Sequence, residues 1–192
     1  MSGSASRPNS PVITAQTTLS VASASKWVYA AYVVQKFGDD PAARSYLNLT
    51  SGYSNFRSSD CPVDGTVAQC SPGSRSASEA INHVFHYDGG HMQRHAIDHG
   101  LGPLDDQGLT AEVVSVVGPE LGLSYAQPGI AGGVSTNAAT YAAFLRKLLV
   151  DGDSPLAIGA LLGSNPVCTL PSATRSEEHT SELQSRVDIS YA

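Results

Sequence analysis

The chain has 192 residues, 41% of them hydrophobic and 15% charged, with a formal net charge of −6. That apolar content supports one globular domain with a real core and excludes wholesale disorder, whose mark is low hydrophobicity with high net charge. Eleven scattered basic residues on a mildly acidic chain leave no electrostatic footprint for nucleic acid, and no apolar run approaches the ~18 residues that cross a bilayer.

Residues 1–17, with Pro8, Pro11 and repeated serines, read as a flexible leader; no apolar stretch follows Arg7, so this leader is not a secretory signal. Residues 18–21 suit a short strand or loop. A helix is predicted from Ser23 to a stop at Gly38, and its interior is apolar at nearly every position, which implies burial on most of its surface. Residues 39–78, rich in Gly, Pro, Ser and Asn, read as loops around short helical turns. Residues 79–100 are polar and histidine-rich, beginning as a helix and broken at Asp88-Gly89-Gly90. Further helices are predicted over 110–121, capped by Thr110 and stopped by Gly122, and over 136–150, capped by Thr136. Residues 154–162 suit a last short helix.

Cys61 and Cys70 bracket a turn-rich loop, a spacing that suits a short disulfide in an exported protein and leaves Cys168 over; the alternative is three free thiols in a cytoplasmic one.

The chemistry concentrates in Ser23-Ala24-Ser25-Lys26. Positions three apart share a helix face, so the Ser23 hydroxyl and the Lys26 amine can meet. A serine hydroxyl needs a base to become a nucleophile, and lysine serves as one when burial disfavours its ammonium form. Lys26 heads the most apolar helix of the chain and is one of only three lysines. Set against this, S-x-x-K occurs often by chance, and a serine before a helix is commonly no more than a cap.

The wider context resembles a family. The stretch 19–27 (LSVASASKW) is similar to the nucleophile region of the serine β-lactamase and penicillin-binding-protein family, in which Ser opens a buried helix and Lys follows one turn later. The stretch 128–149 (PGIAGGVSTNAATYAAFLRKLL) resembles that family's glycine-rich loop and following helix, and 47–53 (LNLTSGY) looks like one of its turns. The resemblance runs in the family's order from Leu19 to about Val150. It implies an α+β, β-lactamase/transpeptidase-like fold, present here as a helix-rich fragment with an incomplete antiparallel sheet. It implies acyl transfer through Ser23 with Lys26 as base and no cofactor or metal. The substrate would be a small molecule or peptidoglycan-like: a β-lactam, a D-alanyl peptide or a small ester. The intact parent would then be periplasmic or secreted.

The family's middle motif, Y-x-N or S-x-N, is best matched by Tyr87-Asp88-Gly89, which would bring a proton-moving phenol to the site but lacks the asparagine; the alternative is a tyrosine packed at a turn. Gly132 and Gly133 would let the backbone approach the substrate, as would Gly89. The family's last motif, Lys-Thr-Gly or His-x-Gly on a strand that also helps form the oxyanion hole, is absent before Thr174. The tail offers a reason: 175–185 (RSEEHTSELQS) resembles the in-frame translation of a common sequencing adapter, and 189–192 (ISYA) its continuation. Residues 175–192 are therefore set apart from a partial domain over 18–174, whose activity is expected to be impaired.

Two other readings compete. A catalytically inactive binding or sensing module could share this fold. His83, His86, His91, His95 and His99 could hold a metal, although Met92 stands where the zinc-hydrolase motif H-E-x-x-H needs its glutamate; the plainer expectation for these histidines is a solvated polar face.

Overall fold

A computed structural model describes residues 12–70, 83–149, 156–165 and 167. Five helices pack around a small antiparallel sheet, giving an α+β architecture among these residues. Strand β1 (Leu19–Ser20) is followed by a 3-10 turn (Ala22–Ala24) and then α1 (Ser25–Phe37). Next come α2 (Pro41–Leu47), α3 (Gly90–Ala96), α4 (Asp106–Val117), β2 (Ser124–Tyr125), β3 (Val134–Thr136) and α5 (Ala138–Leu148). β3 lies in the centre of the sheet, with Leu19 opposite Thr136 on one side and Tyr125 opposite Val134 on the other.

α1 is the axis of the core. Every residue from Val28 to Val34 is buried, and the helix packs against α4 and against a 3-10 turn over Ala157–Leu161. Full burial of each valine or tyrosine in that run contributes roughly 1.5–3 kcal/mol, so this helix carries much of the folding energy. Gly38, at φ +77°, ends it in a conformation that a side chain would strain.

Helices α2, α4 and α5 begin at side-chain caps, and the caps of α4 and α5 differ from the predicted ones. Asp40 accepts from Ala42 N, with Pro41 in the first turn, and starts α2 inside a stretch read as mostly loop. α4 starts at Asp105, whose carboxylate accepts from Gly108 N at 2.7 Å, several residues before Thr110. Thr110 is interior; its hydroxyl donates to Asp106 O and accepts from Tyr125 N, tying α4 to β2. Likewise Asn137, rather than Thr136, caps α5 through Thr140 N, while Thr136 belongs to β3. In both cases a stronger Asx cap lay near the threonine, and the threonine was needed elsewhere. Ala139 N donates to Ala15 O, docking the end of the 12–17 segment on α5.

The expected solvated face holds for His83, His86 and His99, which are exposed, but not for His91 and His95. His91 and His95 are 0% and 1% exposed, because α3 turns this side toward α1 and α2. His91 Nε2 donates to His86 O (2.9 Å), which leaves Nδ1 to accept from Ser51 Oγ (2.7 Å) and fixes the neutral tautomer. His95 Nδ1 shares a 2.8 Å hydrogen bond with Tyr29 OH and its ring stacks on His99; its Nε2 is buried without a partner. No group of three His, Cys, Asp or Glu residues suited to a metal occurs among the described residues. Residues 79–82 fall outside them, as do residue 168 and the 175–192 tail. The described part of the helix predicted from Glu79, residues 83–89, is turn and irregular chain, and a helix begins instead at Gly90, where a break was expected.

Two outcomes test this packing. A Cβ on Gly133 would stand 2.2 Å from Gln127 O and 2.6 Å from Gly129 O, so Gly133→Ala must displace backbone. It is expected to cost about 3 kcal/mol in urea unfolding, against a few tenths for Gly132→Ala, where a Cβ meets nothing within 4 Å. Burial lowers both His91 and His95 from 6.5 to about 4, opposed in part by the His86 carbonyl and Asp88 at His91 and, after a further lowering by His99, by Asp98 and Asp40 at His95. Their folded values lie below the unfolded one, so the stability they confer is present in full above pH 6.5 and is lost as pH falls toward 4. Urea unfolding at pH 5 should therefore give a stability roughly 2–4 kcal/mol below that at pH 7.5; a flat profile would mean that both rings protonate inside the folded chain.

Candidate active site

Lys26 is the anomaly of the core. It is 3% exposed, on the first turn of an otherwise apolar helix. The other two lysines pair with carboxylates, Lys36 with Glu112 and Lys147 with Glu120. Lys26 has instead two hydroxyls and a carbonyl within hydrogen-bond distance: Ser23 Oγ at 3.1 Å, Tyr87 OH at 3.4 Å and Ala131 O at 3.4 Å. Its Nζ also lies 4.6 Å from the centre of the Tyr87 ring. Burial pushes the amine below the ordinary lysine value, partly opposed by Tyr87 and Asp88.

Ser23 sits in the 3-10 turn rather than in the α-helix that its motif predicted, and it is exposed at the mouth of a cleft. The turn is held in an unusual shape: Ala22 has φ +45°, a region that alanine rarely adopts. Ser25 Oγ donates to Ala22 O at 2.6 Å and accepts from Val134 N at 3.0 Å, and Val21 N donates to Val134 O. Tyr141 OH donates to Ala24 O. The turn is thereby stitched to β3 and α5, and Ser23 is left free to face the cleft.

The cleft has a volume of about 480 Å³, and Ser23, Lys26, Tyr87, Gly89, Ala131 and Gly132 all line it. Of the residues singled out in the sequence, the structure thus brings together Ser23, Lys26, Tyr87, Gly89 and Gly132. Tyr87 is 48% exposed, with its phenol oxygen turned to Lys26. Gly133 lies behind the lining, buried, and serves the close backbone packing of the 129–133 loop. Cys61 and Cys70 are joined in a disulfide whose loop borders a second, smaller hollow, and Gln127 lines both hollows.

Three contributors escaped the sequence reading. Gln93, fully buried on α3, donates to Val67 O and Pro128 O and accepts from Ile130 N, which fixes the glycine loop. Asp88 accepts from Asn55 N, Phe56 N and Gly90 N, clamping two loops together beside Tyr87. Phe56 is a wall of the cleft. Asp88 stood inside a quoted motif and offered a signal; Gln93 and Phe56 offered none.

The fold and the cleft together define an α+β protein with a buried lysine, a serine and a tyrosine converging on one concavity. Among solved structures, the chain is similar to D-amino acid amidase from Ochrobactrum anthropi SV3, determined in complex with L-phenylalanine, with a TM-score of 0.51 and 16% identity. The match covers 73% of this chain and 57% of the amidase chain, so this chain spans little more than half of that protein. At that identity the likeness concerns the fold alone, an α+β arrangement of the β-lactamase/transpeptidase kind. No family model and no curated protein matches the chain. No helix among the described residues is long and apolar enough to cross a membrane.

Removing the Asp88 clamp is a direct test of how the cleft is held. Three hydrogen bonds to one carboxylate are lost in Asp88→Ala, which should lower stability by about 2–3 kcal/mol in urea unfolding. Backbone amides of residues 55, 56 and 90 should then exchange with solvent faster than those of α5; unchanged exchange at 55 and 56 would remove the clamp from the account.

Proposed function

We propose that this chain is part of a serine hydrolase that transfers acyl groups through Ser23, with Lys26 as base. The observation that carries the reading is a lysine buried with no ion-pairing carboxylate among the described residues and 3.1 Å from a cleft-facing serine hydroxyl. Burial raises the fraction of neutral amine, and a neutral amine at that distance accepts the hydroxyl proton.

In the proposed reaction Ser23 Oγ attacks the carbonyl carbon of an ester or amide as its proton passes to Lys26 Nζ. The tetrahedral oxyanion collapses, the bond from the carbonyl carbon to the leaving oxygen or nitrogen breaks, and that atom takes the proton from Lys26 by way of Tyr87 OH. Water then attacks the Ser23 ester, releasing the acid and restoring the hydroxyl. In the turn holding Ser23, Ala22 N donates to Ser20 Oγ and Ala24 N to Val21 O, which leaves Ser23 N as the group suited to one oxyanion contact. A second donor, on a strand bearing Lys/His-x-Gly, is absent among the described residues, and its loss lowers the rate roughly 10²–10³-fold. Acylation is therefore expected to be slow. β-Lactams, D-alanyl peptides and small esters or amides are the substrate classes, and an extracytoplasmic setting suits the Cys61–Cys70 disulfide.

A fluorophosphonate probe followed by peptide mass analysis tests this. The expected adduct is on Ser23, absent in Ser23→Ala and formed about 10²-fold more slowly in Lys26→Arg, which keeps the charge but not the base. The labelling rate should rise with pH through a midpoint below the 10.5 of an ordinary lysine, since a lowered value frees the amine at lower pH. No Ser23 adduct, or labelling indifferent to Lys26, would favour a binding module of the same fold.

A further inference from the structure

The motif that Tyr87-Asp88-Gly89 resembles has asparagine in its third place, and the structure gives a physical reason for glycine. An ideal Cβ on Gly89 would stand 2.9 Å from Phe56 Cδ1, 3.3 Å from Phe56 Cγ and 3.2 Å from Ala131 Cβ. The room for a side chain at 89 is already occupied by the Phe56 ring. At the other end of the ring, a Cβ on Gly129 would meet Phe56 Cζ at 3.3 Å. The ring therefore lies across two glycines, and it lines the same cleft as Ser23 and Lys26.

The ring is held there by construction. Asp88 accepts from Phe56 N at 3.1 Å and from Asn55 N at 3.2 Å, while its contact with Gly90 N, at 2.7 Å, fixes the start of α3. Asn55, at φ +67°, turns the chain so that Phe56 faces inward. The Cys61–Cys70 disulfide ties down the segment that follows. The Asp88 carboxylate is engaged by three backbone N–H groups, and Gly89 and Gly129 have no side chains. What this part of the cleft presents is thus carbon: the Phe56 ring and the Ala131 methyl group, with the Gln127 amide at the far end.

We infer that Phe56, seated over Gly89 and Gly129, is the specificity wall of the cleft, and that it receives a ring-sized apolar group attached to the scissile carbonyl. The inference rests on the serine-hydrolase reading and names its substrate class: esters and amides of arylacetic or comparably bulky apolar acids, in preference to acetyl compounds. Burying such a group against an aromatic face contributes binding that a methyl group cannot reach. A polar contact from an asparagine at 89 has been exchanged for an apolar surface.

The test compares p-nitrophenyl phenylacetate with p-nitrophenyl acetate on the full chain, reading the p-nitrophenolate released as Ser23 is acylated. The ratio of the two acylation rate constants should fall about tenfold in Phe56→Ala and recover in part in Phe56→Leu. Gly89→Ala should also lower it, because the new Cβ displaces the ring. Thermal melting of each variant separates a lost wall from a lost fold, and Phe56→Leu is the variant that keeps the packing. A ratio within twofold of the parent in both Phe56 variants overturns the inference while leaving Ser23 chemistry intact. A second arm does not depend on turnover: saturation-transfer NMR of phenylacetamide and acetamide with the Ser23→Ala chain. Phenylacetamide binding that is lost in Phe56→Ala supports the wall even if no ester acylates Ser23, in which case the hydrolase reading alone fails. Equal, Phe56-independent binding of both amides sinks the wall.

Discussion

Lys26 could not be buried as an ordinary lysine. Taking an ammonium out of water costs several kcal/mol, and among the described residues no carboxylate forms an ion pair with this one, Asp88 opposing the cost only in part. The apolar run that follows, Val28 to Val34, supplies the hydrophobic energy that drags the first turn of α1 inward with the rest of the helix. What remains open to the amine is to shed its proton more readily and to settle among weak partners, Ser23 Oγ, Tyr87 OH and Ala131 O. Each partner arrives from a different part of the chain, so the position of one nitrogen fixes where the 3-10 turn, the 87–89 turn and the glycine loop must lie.

That convergence explains the polar residues buried around the site. Gln93 satisfies three backbone groups of the segments at 67, 128 and 130, none of which is in a helix or strand. His91, its ring fixed by Ser51, does the same for the carbonyl of His86. A loop brought into a core must have its amide and carbonyl groups paired, and α3 supplies those pairings from side chains on its inner face. The histidine-rich helix is therefore a loop anchor, and its low-pH liability follows from the same burial.

Much of the frame was legible in the sequence. The unbroken apolar run after Lys26 announced a buried helix, and the stop at Gly38 announced its end. The spacing of Ser23 and Lys26 announced that the two could meet. The caps were harder to read: Thr110 and Thr136 looked like starts because a hydroxyl before an apolar run is a good cap, but Asp105 and Asn137 are better ones, and each threonine is engaged by β2 or β3. The histidines at 91 and 95 read as solvated because their partners, Ser51, Tyr29 and the carbonyl of His86, come from elsewhere and leave no local trace. Phe56 was invisible for the same reason: nothing in residues 54–58 announces that their ring fills the space above Gly89.

The motif itself also turned out to need more than its four residues. In a plain α-helical turn, Ser23 and Lys26 would face one another by periodicity alone. Here Ser23 occupies a tighter turn entered through Ala22 at φ +45°, a conformation costing on the order of 1–2 kcal/mol for a residue with a side chain. Ser25 opposes that cost by holding the Ala22 carbonyl while accepting from Val134 N, a partner 109 residues distant in sequence. The geometry between hydroxyl and amine is therefore set by the pairing of β3 with the turn as much as by helix periodicity. A chance Ser-x-x-Lys at a helix start would have the spacing without the bond to a central strand, and that bond separates an organised cleft from a motif that merely recurs.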